Sequence, residues 1–356
     1  MKFENSEHEY FSEDPEFDIW SRLKNYSYAG FLDNYFSSKK LLFDDKLKEV
    51  ISGSILQAKD YFEASRTVSM QTAPLLMYYG AVNLLYAASC LKSGKILEVK
   101  GHGMSLKKET IESKHLQDLE VNMHLDKGSG FMLYLEALEN QKLSKGFSVS
   151  LDQILSSIPE LYREYINISH PDKLHIMPLV KIITDDFEMY RSRIKASQYS
   201  ETLGHILQSE AYNETFLAYD ITIFDEIEYY LRIDSNQKIS KSFLGEYYFQ
   251  LEVPNIPILN PMFFGIVGLY LLATVSRYHT GIWSSFLKNN QNGWVNFIEK
   301  FLSVMRRYLP NYILDTLEEK KYKFTNRINP IEDQRNQLSD KNLEKQIMRI
   351  VNRMEG

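Results

Sequence analysis

Two stretches far apart in this chain carry no charged residue, and any fold it adopts must bury both. The first, "APLLMYYGAVNLLYAASCL", spans residues 73–91. The second, "PMFFGIVGLYLLATVS", spans residues 261–276 within a charge-free run that begins at Val253. Both read as helices. Pro74 and Pro261 suit a first helical position, where the missing N–H costs nothing, and Asn260 is a good N-cap. Pro254, Pro257 and Pro261 interrupt the run before the second helix, leaving sixteen uncharged residues from Pro261 to Ser276. A membrane span needs about 20 in one helix, so the expectation is a buried helix ending at Arg277-Tyr278-His279, with no membrane association. The first helix is apolar on nearly every side and belongs at the centre of a bundle. The two are expected to pack on each other in one core.

Around them the pattern alternates. Residues 1–16 are acidic with few apolar positions and are expected to be disordered. Residues 17–92 show apolar spacings of three and four and read as helices. Residues 93–253 mix helix with strand. "KILEVKGHGMSL" and "LEVNMHLDKGSGFMLYL" suggest strands and tight turns, with Gly101-His102-Gly103 as a hairpin turn in preference to a turn that presents the His102 imidazole. "ETFLAYDITIF", "EIEYYLRI" and "GEYYFQLEV" suggest antiparallel strands, since the connections are too short for crossover helices. Residues 261–319 return to helix. "KKYKFTNRINPIEDQRN" has the polarity of a linker, and "SDKNLEKQIMRIVNRM" reads as an amphipathic helix. The expected class is α+β, mainly a helical bundle with a small antiparallel sheet inserted mid-chain. A single domain is expected over 17–324, followed by linker and helix over 325–356.

The formal net charge of −6 argues against wholesale electrostatic capture of nucleic acid, so no strong DNA-binding signal exists. Cys90 is the only cysteine, which excludes an internal disulfide and cysteine-based zinc sites. It is expected to be inert core. The acidic N-terminus lacks an apolar signal region, so a cytoplasmic location is expected. No cofactor and no metal site are expected. The pairs Asp185-Asp186 with Glu188, and Asp225-Glu226 with Glu228, read as solvated edges. Arg306 and Arg307 read as the polar side of an amphipathic helix.

Phosphate loops, dinucleotide fingerprints, zinc-protease motifs and nucleophile elbows are all absent. A helical ribonuclease of the HEPN type needs an arginine to hold phosphate and a histidine for acid–base work nearby on one helix. Arg163 and His170 in "REYINISH" come near that spacing, but chance supplies such a match in a chain of this size. Pro171 also ends the helix there. Arg277 and His279 are the stronger candidates for catalysis or anion binding, at the end of an apolar helix. A cation there also complements the helix dipole, which is the structural alternative. Tyr278, Trp283, Tyr78 and Asn83 complete the candidate ligand site.

Two segments together resemble the YaaC-like proteins of bacteria. One contains Pro74, Leu75, Leu76, Tyr78, Tyr79, Asn83 and Leu84; the other contains Ser276, Arg277, Tyr278 and Trp283. The second departs from the family pattern where Thr280 and Gly281 stand near an expected proline. The resemblance covers about residues 17 to 315. It implies a bacterial cytoplasmic protein, with relatives beside nucleotide-metabolism or phage-defence genes, and it brings no established activity.

Two functional expectations follow. The first is an interaction or regulatory protein, such as a subunit of an anti-phage defence complex, with a protein partner or a homo-oligomeric state. The C-terminal helix would dock through Leu343, Ile347, Ile350 and Val351. The second is a HEPN-like ribonuclease or nucleotide-binding enzyme with an Arg/His site, acting on a nucleotide or RNA.

Overall fold

A computed structural model describes residues 7–112, 115–169, 173–183, 188–193, 216–223, 226–232, 239–289 and 293–325. The chain forms two compact units rather than the single domain expected over 17–324. One unit comprises residues 1–168 and 252–326, the other residues 169–251 and 327–356.

The first unit begins with β1 (Glu7–Phe11), α1 (Pro15–Asn25), α2 (Ala29–Lys39), α3 (Asp45–Thr67) and α4 (Ala73–Ser93). It continues with β2 (Met104–Leu106), β3 (Glu120–Met123), α5 (Gly130–Glu139), β4 (Ser148–Ser150), α6 (Leu151–Ser156) and α7 (Tyr162–Ile168). The second unit contributes β5 (Ile176–Ile183), β6 (Glu188–Ser192), β7 (Phe216–Ile223), β8 (Glu226–Arg232), β9 (Ser240–Lys241) and β10 (Tyr247–Gln250). The chain then returns to the first unit with α8 (Pro261–Tyr278), α9 (Thr280–Lys288), α10 (Trp294–Glu318) and β11 (Lys321–Thr325). The class is α+β and mainly helical, with small antiparallel sheets.

The two uncharged stretches form α4 and α8, and these pack on each other. α3 covers another side of α4, and α10 packs on both apolar helices. Both are long and apolar enough to cross a membrane, but 67% of one and 72% of the other is buried by neighbouring elements. They are core helices. Their ends follow local chemistry: Asn260 Oδ1 accepts the Met262 amide at 3.0 Å ahead of α8, and Gly94 closes α4 with φ +65°. α3 and α4 come close at Gly80, where an added Cβ would stand 2.6 Å from Phe62 Cδ2.

Several local expectations are corrected by long-range pairing. Residues 7–16 of the expected disordered tail are ordered. β1 pairs in parallel with β11, Glu7 opposite Lys321 through Phe11 opposite Thr325. β11 lies in the segment expected to be linker. Tyr10, Tyr322 and Phe324 cluster there, and the Arg22 guanidinium lies 4.5 Å from the Tyr10 ring centre and 4.9 Å from that of Tyr322. Such cation–π contacts offset the polar composition that made both strands look like coil. "GFMLYLEALE" is the helix α5 rather than strand; its apolar run is ambiguous by period, and Ser129 caps it. Gly101-His102-Gly103 is not a hairpin turn, because β2 pairs with β3 across an intervening stretch of chain. α10 runs unbroken through Pro310.

The second unit holds a six-stranded antiparallel sheet in the order β7-β8-β6-β5-β10-β9. β7, β8 and β10 are the strands expected from the sequence. β5 and β6 enlarge the sheet, with Ile176, Met177 and Leu179 buried.

Candidate functional site

The polar groups that the first unit draws together lie between α4, the irregular segment 97–103 that leads into β2, α5 and α8. The Gly101–Gly103 segment lies along the start of α5. Gly130 N donates to Gly101 O at 2.8 Å, Phe131 N to His102 O at 3.1 Å and Lys100 N to Gly128 O at 2.8 Å. Ser129 Oγ takes the Met132 amide at 3.4 Å. A helix N-terminus attracts anions through its unpaired amides. Here the first amides of α5 are already spent on the glycine segment, so this end is a structural clasp.

The clasp aims His102 at the core. Its Nδ1 lies 2.8 Å from the Tyr78 hydroxyl, with ring centres 5.3 Å apart at 63°. Tyr270 packs against both rings, at 5.5 and 5.8 Å, and donates its hydroxyl to Met104 O at 2.8 Å. Burial pushes the Tyr78 phenol up and the His102 imidazole down. At neutral pH the pair is therefore uncharged and mutually hydrogen-bonded. It lines a cavity of about 230 Å³ with Val82, Tyr134, Phe131 and Ile266, and Lys100 stands among the lining residues. The chemistry available is recognition of a small, mostly apolar molecule by one neutral hydrogen-bonding pair.

The sequence candidates divide around this cavity. Tyr78 lies in it. Asn83 does not: its Nδ2 donates to Tyr79 O at 2.9 Å, one turn back on its own helix. Arg277 donates to the Tyr79 hydroxyl at 2.8 Å and lies 4.8 Å from the Tyr278 ring centre. Successive residues on a helix point roughly 100° apart, so Tyr78 serves His102 while the adjacent Tyr79 serves Arg277. Tyr278 is 65% exposed. His279 is the junction residue of α8 and α9, its amide bonded to Val275 O and its carbonyl to Trp283 N. Trp283 is fully buried, stacks on Phe286 and gives Nε1 to Met70 O at 3.1 Å. The expected convergence of Arg277 and His279 with Tyr78 and Asn83 on one pocket is not found. Arg277 stands in the last turn of α8, where its charge complements the helix dipole, and ties that turn to α4.

That assignment predicts a small effect. Arg277→Ala should lower the unfolding free energy by less than about 1 kcal/mol, since an exposed helix-end cation and one exposed hydrogen bond are lost. Urea denaturation measures it; a loss of several kcal/mol would mean that Arg277 anchors the core.

Arg163 directs Nε to the Tyr162 hydroxyl at 3.1 Å, and His170 lies outside the described residues. So do Asp185, Asp186 and Asp225, and Leu343, Ile347, Ile350 and Val351 of the C-terminal segment. Glu188 lies on β6, and Glu226 and Glu228 on β8. Among the described residues no group of three or more His, Cys, Asp and Glu side chains could hold a metal. Cys90 is buried, and burial raises its thiol. The sequence reading favoured a hairpin turn over presentation of the His102 imidazole, and it passed over Tyr134 and Tyr270. The available signal was the Gly-His-Gly triplet, whose glycines imply close backbone approach as readily as a turn.

No curated protein matches this chain, and no solved structure does. A family model described as "YaaC-like Protein" matches residues 23–317, most of the chain. The chain belongs to the YaaC-like protein family.

Proposed function

We propose that this chain is a cytoplasmic regulatory protein that binds a small, largely apolar ligand and signals its presence to a protein partner, as a subunit of a bacterial defence complex would. The observation that supports this is the cavity beside Tyr78 and His102. Its polar pair is neutral and preorganised, which suits recognition of a ligand's hydrogen-bonding group more than proton transfer from a charged base. Lys100 at the cavity favours a ligand with an acidic end. The ribonuclease alternative lacks comparable support, since the arginines Arg163 and Arg277 each hold a neighbouring tyrosine hydroxyl.

The test is native mass spectrometry of the full chain purified from its own cells, beside a Val82→Trp variant. Val82 lines the cavity, and an indole there would fill it. The expected result is a co-purifying small molecule on the wild type and none on the folded variant. A wild-type chain that carries no small molecule, or a variant that keeps it, would overturn the reading.

A further inference from the structure

A second cavity of the first unit, about 300 Å³, opens between α1, α3 and α10. Its lining has an uneven charge arrangement. Lys24, Lys59, Arg66 and Arg306 face it, with Asp14, Glu16 and Glu63. The three carboxylates are already engaged. Asp14 Oδ1 caps α1 by accepting the Phe17 amide at 3.1 Å. Glu63 pairs with Lys59 at 2.6 Å, and Glu16 pairs with Arg66.

That leaves Arg306 without an acidic partner among the described residues. It is half-buried, and its one hydrogen bond runs from Nε to Ser65 Oγ at 3.3 Å. Among the described residues its terminal N–H groups have no protein acceptor. The next residue makes the contrast plain: Arg307 places one terminal nitrogen on Asn311 Oδ1 and the other on Phe324 O. Glu16 offsets the charge of Arg66, but a partly desolvated Arg306 guanidinium beside that pair has no counter-charge of its own among the described residues, which is unfavourable unless a further anion joins it. Burial first, and the Arg66 charge next, pull the Arg306 guanidinium below its usual value, as expected of a cation in need of a counter-ion. A guanidinium presents parallel N–H donors that match the oxygens of a phosphate. Beside them stands an aromatic wall of Trp20 and Phe62, with Phe17 exposed to 67% at the rim. The volume is at the lower end of small-ligand sites.

We infer that this cavity is a binding site for a small phosphate monoester, its phosphate held by Arg306 and by the N–H groups of Arg66 that Glu16 does not take, and its organic part resting on Phe17. The site is separate from the Tyr78–His102 cavity, and either assignment can fail without the other.

Isothermal titration of the full chain with phenyl phosphate, and separately with inorganic phosphate, tests it. The wild type is expected to bind the ester in saturable fashion and more tightly than inorganic phosphate. Arg306→Met, which keeps the stem and removes the charge, should weaken the ester at least tenfold while the denaturation midpoint stays near that of the wild type. If that variant does not fold, Phe17→Glu carries the test. It adds an acidic group in the first turn of α1, where the helix dipole tolerates it, and should weaken the ester by a similar factor. Absence of saturable binding, binding undiminished in a folded variant, or inorganic phosphate bound as tightly as the ester would each overturn the assignment.

Discussion

Gly103→Ala should destabilise the first unit by about 3 kcal/mol, although it adds only a methyl group. Two independent costs combine. Gly103 has φ +76°, a conformation that costs an alanine roughly 1 kcal/mol. The added Cβ would also stand 1.7 Å from Ser129 Oγ and 2.7 Å from Ser129 Cβ. Ser129 cannot retreat cheaply, because its hydroxyl caps α5 and its neighbour Gly130 is bonded to Gly101 O. Forcing a methyl into such a contact costs on the order of 1–3 kcal/mol. The two costs can be separated. In the background of Ser129→Gly, which removes the obstructing atoms, Gly103→Ala should cost only the conformational part. Equilibrium denaturation of the four proteins of this cycle gives the answer. A single-variant loss below about 0.5 kcal/mol would show that the clasp yields and does not fix His102.

Trp283→Ala should cost about 3–5 kcal/mol, the range for deleting a fully buried large aromatic. Trp283 has no exposed surface. It connects three things at once: α9, through its own backbone; Phe286, stacked at 5.4 Å; and the turn before α4, through Nε1 and Met70 O. Truncation leaves both a cavity and a carbonyl without its donor. Trp283→Phe separates these effects, since it keeps most of the packing and loses the hydrogen bond. Its expected cost is about 1–3 kcal/mol, from lost ring packing and a part-buried acceptor left unpaired. If both variants lose less than about 1 kcal/mol, Trp283 is not a packing residue and its reading as a ligand contact returns.

Much of the scaffold is legible in the residues themselves. Freedom from charge over residues 73–91 and 261–276 dictates burial, and the prolines and Asn260 set where the helices begin. Both signals act within one or two turns of chain, so they survive without knowledge of any neighbour. The pairing of α4 with α8 also follows, because neither could hide its apolar surface alone. The aromatic and β-branched runs at β7, β8 and β10 are legible for the same reason: their pattern lies inside each strand.

The candidate site depended on positions the local pattern does not encode. Tyr78 and Tyr79 are the same residue type side by side, and only the placement of α4 sends one to His102 and the other to Arg277. The Gly-His-Gly triplet satisfies a hairpin turn as well as a helix clasp; the arrival of Ser129 and Gly130 decides between them. The same holds for "EHEYF" and "KYKFT", polar strands whose mutual pairing joins Glu9 to Lys323 at 2.9 Å across 314 positions of sequence. Burial pattern and end-capping are properties of a segment and can be read from it. The partner of a strand, a tyrosine or an arginine is a property of chain closure, and no local pattern specifies it until the tertiary structure has brought the two surfaces together.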